Sequence, residues 1–240
     1  MGDNLRNEVI KAENVSYYYP DGSVGIRDID ITIQRGDRIG LIGANGSGKS
    51  TLILLLAGLI KPTKGRVKIF DMEPDKKNIE KIRRRVGVVF QNPDDFLFNP
   101  TVRDELLYVP RQLEWDERRL NDALENYSQM FRIEQILEKP PFRLSGGEKK
   151  KVEIASVLIF QPDVLFLDEP TAYVDGKTRR QIMEILNEYN GTIIVATHEL
   201  DVAEKLVDKI ALLNLEHRIE AVGGKEILEN VKLLEKAGLL

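Results

Sequence analysis

Hydrophobic residues follow strand periodicity over the first ninety positions and helical periodicity over the next fifty. Isoleucines alternate with polar residues over 26–33, as in a half-buried strand. Short continuous apolar runs, typical of strands buried on both faces, occupy 38–42, 86–90, 164–168 and 192–197. Between residues 101 and 142 the pattern predicts helices only. This order predicts an α/β chain with a helical insertion.

One strand-to-helix junction carries a complete phosphate-loop pattern. The strand-like run 38–42 is followed by Gly43-Ala44-Asn45-Gly46-Ser47-Gly48-Lys49-Ser50-Thr51, and then by the helical run 52–57. Glycines take positive φ and bring no Cβ, so backbone N–H groups can turn inward around a phosphate chain. Lys49 would reach the β- and γ-phosphates, and the Ser50 hydroxyl would ligate Mg²⁺. The alternative is a chance glycine turn, which would not require the full pattern in this context.

Three other strands end in polar residues that suit phosphate chemistry. Asp168 and Glu169 follow one apolar run, and adjacent residues on a strand point to opposite faces, so the two cannot share a role. Asp168 suits the Mg²⁺ shell, and Glu169 suits a base that polarises the attacking water. Gln91 follows the strand 86–90, where ligands bind in open α/β sheets, and is a candidate for Mg²⁺ or water contact. His198 follows the strand 192–197; a lone histidine is usually structural, but here it could hold the γ-phosphate or the water.

Two segments have both a structural and a functional interpretation. Tyr17-Tyr18-Tyr19 can be β-formers on an edge strand, or Tyr19 can stack on a base. Leu144-Ser145-Gly146-Gly147-Glu148 precedes a helix, and can be an anion-binding N-terminus or an ordinary serine cap with a glutamate in the first turn. The residues themselves leave both questions open. Basic runs at 83–85 and 149–151 predict solvated helix faces.

The composition is that of a soluble globular protein of 240 residues, with 42% hydrophobic and 31% charged residues. A net charge of −4 argues against a general nucleic-acid binder. The absence of cysteine excludes disulfides and thiolate metal sites. Residues 1–7 lack a secretory signal, and Arg6 stands where a myristoylation motif has Ser or Thr. The longest apolar run, Leu52 to Ile60, is half of a membrane span, so we expect membrane association only through a partner.

Together, these residues resemble the ATP-binding cassette family from about Val9 to Val222. The motifs stand in the family's order: an aromatic base stacker (Tyr19), Walker A (Gly43 to Thr51), a Q-loop (Gln91), a signature (Leu144 to Glu148), Walker B (Val164 to Asp168) with Glu169, a D-loop (Asp175) and a switch histidine (His198). The position of the signature between a phosphate loop and an acidic strand favours the functional interpretation of Ser145. The Q-loop spelling, Gln91 to Phe98, is similar to that of the energy-coupling-factor branch, whose ATPases drive uptake of cobalt, nickel and vitamins.

The resemblance implies a P-loop NTPase core, with a mixed sheet and flanking helices, joined to an antiparallel N-terminal β part and an inserted helical subdomain. Residues 1–240 would form one nucleotide-binding domain. Its core would comprise 1–94 and 161–240, and its helical subdomain, with the signature, would span 95–160.

The resemblance also implies the activity: ATP hydrolysis that powers import of cobalt, nickel or a vitamin by closure of a dimer. The residues expected to contact ATP are Tyr19, Gly43, Asn45, Gly46, Ser47, Gly48, Lys49, Ser50, Thr51 and Gln91, with Ser145, Gly146 and Gly147 acting on the nucleotide of the opposite protomer. Mg²⁺ would be held by Ser50, Gln91 and Asp168, and catalysis would rest on Glu169, His198 and Lys49.

The implied partners are a second ABC ATPase subunit, either identical or a paralogue, and a transmembrane permease subunit. The expected location is the cytoplasmic face of the cell membrane, as a peripheral subunit, with no nucleic acid bound. The alternative is a soluble ABC ATPase of a non-transport process. Such proteins usually carry two cassettes, a coiled coil or a basic surface, and none of these features is visible in the sequence.

Three positions in the motifs depart from the family's usual spelling. Glu148 replaces the usual Gln of the signature, and Lys151 stands where Arg is frequent. In the D-loop, Ala172-Tyr173-Val174-Asp175-Gly176 stands where the family usually has a small residue, Leu, Asp and Pro, and the bulky Tyr173 bears on how two subunits would communicate. The chain is also short for the energy-coupling-factor branch, whose members often carry a longer C-terminal extension. The sequence does not specify the transported solute.

Overall fold

The computed structural model describes residues 7–240, so the predictions made for residues 1–6 lie outside the described part of the chain. The strands are β1 (Glu8–Tyr18), β2 (Val24–Gln34), β3 (Arg38–Ile42), β4 (Lys64–Ile69), β5 (Val86–Val89), β6 (Val164–Asp168), β7 (Thr192–Thr197), β8 (Lys209–Leu213) and β9 (Ile219–Gly223). The α-helices are α1 (Lys49–Leu56), α2 (Ile79–Arg83), α3 (Val102–Gln112), α4 (Glu117–Phe131), α5 (Gly146–Leu158), α6 (Gly176–Glu188), α7 (Leu200–Leu206) and α8 (Val231–Lys236).

The chain divides into two compact units. The first contains the described residues up to Val86, together with Asp163–Asp168 and Asn190–Leu240. The second contains Gly87–Pro162 and Glu169–Tyr189. The predicted helical subdomain, residues 95 to 160, lies within the second unit.

A largely parallel sheet forms the centre of the first unit, with strand order β6-β7-β3-β8-β9. Strands β6, β7, β3 and β8 run parallel, and β9 pairs antiparallel with β8. Every residue of β6 and of β7 is buried, which explains why their sequences are continuous apolar runs rather than alternating ones. The predicted mixed sheet of an α/β protein is confirmed.

An antiparallel sheet of order β2-β1-β4 forms the N-terminal part of the first unit. Ile10 on the middle strand pairs with Ile33 on one side and with Ile69 on the other, and all three side chains are buried. The alternating isoleucines of β2 therefore face this core, as their period of two predicts. This is the antiparallel β part expected from the sequence.

Helices dominate the second unit, and side chains cap the starts of several of them. The Thr101 side chain accepts a hydrogen bond from the backbone N–H of Asp104 at the start of α3. Asp116 does the same for Arg119 at the start of α4. Side-chain oxygens at these positions satisfy N–H groups that the first helical turn leaves without partners. Among residues 7–240, no helix is long and apolar enough to cross a membrane.

The prediction of solvated basic faces is wrong for one residue in each of the two basic runs. The Arg85 guanidinium lies 3.6 Å above the ring centre of Phe70, and its Nε donates to Asp163 at 2.6 Å. Lys150 is buried, whereas Arg83 and Arg84 are exposed. In both corrected cases the cation is paired with a carboxylate, which is half-buried for Arg85 and fully buried for Lys150.

Candidate functional site

The carboxyl edge of the parallel sheet brings three predicted site segments together in the first unit. Ile42, the last residue of β3, pairs with Thr197, the last residue of β7. Asp168, the last residue of β6, pairs with Ala196. The phosphate loop, Asp168 and His198 therefore all follow from the same edge of the sheet, where ligands of open α/β sheets bind.

The backbone of the phosphate loop depends on its glycines. Gly46 and Gly48 have φ values of 81° and 99°, which L side chains rarely adopt. A Cβ on Gly48 would overlap the carbonyl oxygen of Gly25. A Cβ on Gly43 would lie 2.6 Å from the Leu213 carbonyl oxygen, and so could not be accommodated without a shift. The pattern glycines are thus sterically required in this loop, as the sequence predicted.

The start of α1 presents an anion-binding arrangement. No side chain caps this helix, whose N-cap is Gly48, so its first N–H groups and its dipole are directed at the loop. Lys49 is only 6% exposed, and its ammonium group donates to the carbonyl oxygens of Gly43 at 2.8 Å and Ala44 at 3.0 Å. The Ser47 hydroxyl is buried without a hydrogen-bond partner. A buried cation, an orphaned hydroxyl and an uncapped helix start fit a phosphate chain.

Ser50 and Asp168 supply oxygen donors of the kind that Mg²⁺ requires. Ser50 is exposed in the first turn of α1, and Asp168 is buried at the end of β6. A hydroxyl and a carboxylate are hard ligands, suited to a cation that takes its other positions from water and phosphate oxygens. The residues present therefore fit a magnesium ion bound with a nucleotide.

Tyr19 is connected to the phosphate loop by its hydroxyl group. Its phenolic oxygen lies 2.7 Å from Thr51 Oγ1, and either atom can donate. The Tyr19 ring meets the ring of Tyr17 edge-on, with centroids 5.0 Å apart, and remains partly exposed. Gly25 makes this approach possible, because a Cβ there would lie 2.8 Å from Thr51 Cγ2 and 3.1 Å from each tyrosine ring. Sequence reasoning missed Gly25, and the only signal available was a glycine inside a strand pattern.

The C-terminal segment also touches the phosphate loop. The backbone N–H of Ala44 donates to the carbonyl oxygen of Ala237, at the end of α8, over 3.2 Å. Ala237 is fully buried. No pattern in the sequence indicated this contact, which joins positions almost two hundred residues apart.

In the second unit, the signature segment forms a complete capping box. The Ser145 hydroxyl oxygen accepts from the backbone N–H of Glu148 at 3.3 Å, and Glu148 Oε2 accepts from the Ser145 N–H at 2.8 Å and from its hydroxyl at 2.8 Å. The two bonds that Glu148 accepts lower its pKa, and the bond from the Ser145 backbone N–H has the larger effect. The capping-box geometry is thus present, and a negative charge stands at the start of α5 where the family usually has a neutral amide.

The D-loop lies against the signature glycines within the same unit. Asp175 caps α6 by accepting from the N–H groups of Lys177 and Thr178, and the hydroxyl of Thr178 donates to it at 2.7 Å. The bond from the Thr178 side chain is the main reason that the pKa of Asp175 is lowered. A Cβ on Gly147 would lie 3.3 Å from Thr178 Oγ1, so a side chain at Gly147 would crowd this cap.

Tyr173 and Glu169 have unusual backbone conformations. Tyr173 has a φ of 61° and is 86% exposed, so its side chain does not pack in the monomer. Glu169, the predicted base, has a φ of 45° and is buried. Positive φ at non-glycine residues is uncommon and concentrates at functional sites, where surrounding structure maintains it.

Comparisons with known proteins agree on one family. The family model described as "ABC transporter" matches residues 26–172. A protein of Archaeoglobus fulgidus described as a putative ABC transporter ATP-binding protein is 71% identical over the full length of both chains. An energy-coupling factor transporter ATP-binding protein, EcfA, of Carboxydothermus hydrogenoformans is 41% identical and covers 97% of this chain and 87% of its own.

Solved structures give the same result. The structure of cbiO1 from Clostridium perfringens, part of the ABC transporter complex cbiONQ, is 34% identical with a TM-score of 0.80, and covers 97% of this chain and 95% of its own. A dimeric ATP-binding cassette in a post-hydrolysis state, bound to ADP and Pi, is 28% identical with a TM-score of 0.81, and covers 90% of this chain and 98% of its own.

Proposed function

Since the chain belongs to the ABC transporter family, as an ATP-binding and ATP-hydrolysing subunit, we propose that it powers import of cobalt, nickel or a vitamin through a separate membrane subunit. The observation that carries this proposal is the likeness, over almost the whole chain, to EcfA and to cbiO1 of the cbiONQ complex. The Q-loop spelling from Gln91 to Phe98 supports the same branch. The subunit would lie at the cytoplasmic face of the membrane, held there by its permease partner.

The proposed site of phosphate binding is the loop from Gly43 to Thr51. Lys49 is proposed to balance the charge of the β- and γ-phosphates, after exchanging its bonds to the Gly43 and Ala44 carbonyl oxygens for phosphate oxygens. Tyr19 is proposed to stack on the base. Ser50, Gln91 and Asp168 would hold Mg²⁺, which when bound supplies positive charge that stabilises the developing phosphate charge.

The proposed chemistry is in-line attack of water on the γ-phosphate. Glu169 would accept the proton of that water, and its buried position favours a carboxylate oriented by its surroundings. His198, directly after the β7 strand, would hold the γ-phosphate in line. Both residues lie next to segments that end at the carboxyl edge of the sheet.

Coupling to transport would come from dimerisation. We propose that two cassettes pack head to tail, so that Ser145, Gly146 and Gly147 of one close over the γ-phosphate held by the other. ATP can drive such closure only if it binds the closed state more tightly than the open state. The similar solved structures include dimeric cassettes, which supports dimerisation.

The first test is ATP-dependent dimerisation of the Glu169→Gln protein, measured by size-exclusion chromatography with light scattering. We expect the variant to hold a dimer in ATP that the wild type forms only transiently, because hydrolysis would be blocked after closure. Glu184→Gln makes the same charge change at an exposed position of α6 and should behave as wild type. A Glu169→Gln protein that binds ATP but stays monomeric would exclude the homodimer and direct the search to a paralogous partner.

The second test is membrane association. The protein is expressed with its neighbouring membrane genes, and its co-purification with a membrane component is measured. Import coupling requires a stable or ATP-sensitive complex with that component. Active ATPase that never associates with it would instead favour a soluble ABC ATPase of a non-transport process.

A further inference from the structure

A buried ion pair connects the start of the Q-loop to the signature helix within the second unit. Lys150 and Glu153 lie three residues apart on α5, with Lys150 Nζ 2.9 Å from Glu153 Oε2. Both residues are almost completely inaccessible, at 1% and 0% exposure. Charged side chains are rarely buried unless their bonds are satisfied, so the partners of this pair show what it holds.

Three of the pair's bonds go to the backbone at the end of β5. Lys150 Nζ donates to the carbonyl oxygens of Phe90 at 2.7 Å and Gln91 at 3.0 Å. Glu153 Oε1 accepts from the backbone N–H of Phe90 at 2.7 Å. With its bond to Glu153, the ammonium group uses all three of its donors. The pair therefore binds both the N–H and the C=O of Phe90 and the C=O of Gln91 to a single helix.

The pair lies on the helix that begins with the signature glycines. The helix begins at Gly146, so Lys150 lies in its second turn, close behind the signature glycines. The Gln91 backbone is held by Lys150, whereas Gln91 as a residue is exposed, so its side chain is accessible. A helix is stiff over this distance because each of its turns is hydrogen-bonded to the next.

We propose that Lys150 and Glu153 are positioning residues that fasten the Gln91 backbone to the signature helix, so that Gln91 and the Ser145-Gly146-Gly147 segment move as one body. The inference rests on the proposed function of these two segments. Movement of the Q-loop by a bound partner would then be transmitted directly to the signature, and ATP could close the dimer only when both are in place. A nearby surface bond, from Lys149 Nζ to Asp94 Oδ1, joins the same two segments but is exposed to solvent at Asp94.

The principal test variant removes the pair without leaving an unpaired buried charge. Removing one partner of a buried pair is strongly destabilising, whereas replacing both by apolar residues of similar volume is often tolerated, so we use Lys150→Met with Glu153→Leu. The matched control is Arg118→Met with Asp122→Leu, which removes an exposed ion pair on α4 that touches neither segment. Because the chain contains no cysteine, spin labels can be placed at two exposed positions, Asp95→Cys and Arg143→Cys, one beside each segment.

Two readouts separate positioning from a purely structural role. We expect the label-to-label distance distribution to broaden in the double variant and to stay narrow in the control. We expect kcat for ATP to fall by about tenfold to a hundredfold, as a small misplacement of a catalytic segment can cause, with little change in the Kd for ATP. An unchanged distance distribution, or an unchanged kcat, in the folded double variant would overturn the proposal.

A second variant keeps the test decisive if the double variant does not fold. Lys150→Gln with Glu153→Gln leaves no buried charge, and the amide at position 150 has two N–H donors against the three of the Lys150 ammonium group, so at least one link to the Phe90–Gln91 backbone or to position 153 is lost. It should therefore show a smaller change in the same direction, and wild-type values for both readouts would overturn the proposal.

Failure of the inference is distinguishable from failure of the proposed function. If the wild type hydrolyses ATP and Glu169→Gln dimerises, but pair removal changes nothing, only the inference fails. If the wild type shows no turnover, the proposed function fails, and the label distances still decide whether the pair fastens the two segments.

Discussion

The Tyr19 hydroxyl oxygen lies 2.7 Å from Thr51 Oγ1, so the predicted base-stacking residue is hydrogen-bonded to the last residue of the phosphate loop. The bond spans 32 positions of sequence and connects the antiparallel sheet to the start of α1. Through this contact, the base stacking proposed for Tyr19 would be coupled to phosphate binding by the loop.

Replacing Tyr19 separates its two contributions. We expect Tyr19→Phe, which keeps the ring, to weaken ATP binding by no more than about fivefold, as loss of one neutral hydrogen bond does. Tyr19→Ala should weaken it by about tenfold to a hundredfold, because base–aromatic stacking contributes about 1–3 kcal/mol. Titration with a fluorescent ATP analogue measures both. Tyr18→Ala, at the neighbouring exposed tyrosine, is the control, and an equal loss there would remove the stacking role from Tyr19.

The phosphate-loop glycines should differ in their tolerance of alanine. Gly46→Ala places a Cβ in open space and carries only the cost of positive φ, about 1–2 kcal/mol. Gly48→Ala has that cost and also drives its Cβ into the Gly25 carbonyl oxygen, so it should destabilise the protein more and abolish ATP binding. Thermal unfolding and ATP titration of the two variants test the order. Equal effects would mean that the loop relaxes around residue 48.

The charge at Glu148 predicts an effect on dimer closure. Glu148→Gln would remove a negative charge at the helix end proposed to face a γ-phosphate, so half-maximal ATP-dependent dimerisation in the Glu169→Gln background should require less ATP. The capping box is weakened, and a loss of about 0.5 kcal/mol in the free energy of unfolding is expected.

Glu117→Gln provides the comparison for that experiment, since it makes the same change in the first turn of α4. It should leave the ATP requirement unaltered. A Glu148→Gln protein that needs as much ATP as its parent would show that the carboxylate does not oppose closure.

Glu13 predicts a dependence of stability on pH. A hydrogen bond from Arg66, followed by one from Lys11, lowers the pKa of Glu13 from 4.5 to about 2. Because the folded-state pKa is depressed, the stabilisation is complete above the unfolded-state value and is lost as pH falls through the folded-state value. The free energy of unfolding of wild type should therefore exceed that of Glu13→Gln by a constant amount above about pH 5, and the difference should shrink as pH falls and vanish only below about pH 2.

Chemical denaturation across that pH range makes the measurement, and Glu80→Gln, at an exposed position of α2, is the control. A difference between wild type and Glu13→Gln that does not change with pH would mean that the ion pair with Arg66 is not maintained in solution.

The sequence predicted those parts of the site whose functional residues are close together in the chain. The strand, loop and helix around Lys49 follow from consecutive residues, and Asp168 was placed because an apolar run ends there. Contacts between distant positions left no such pattern. Gly25 leaves the space in which Thr51 and two tyrosines lie close together, and the N–H of Ala44 donates to the carbonyl oxygen of Ala237. Neither role could be assigned before the fold was known.

Lys150 shows why a default interpretation failed. Three consecutive lysines predict a solvated face, yet successive helical residues point about 100° apart, so one of the three faces inward. Glu153 was the available clue, because it places a carboxylate three residues later. Which lysine turned inward depended on the backbone at Phe90, sixty residues earlier. The catalytic and ligand roles assigned to the site residues stay predictions until the variants above are measured.

The central position of β3 has a consequence for the order in which the molecule is made. Both neighbours of β3 in the sheet, β7 and β8, come from the chain beyond residue 190, so the strand that leads into the phosphate loop has no lateral partner while the first 190 residues are synthesised. Pairings of such separation form slowly, since a long loop must close first. A ribosome-bound chain should therefore acquire nucleotide affinity only after β8 has emerged, which makes ATP a reporter of completed folding.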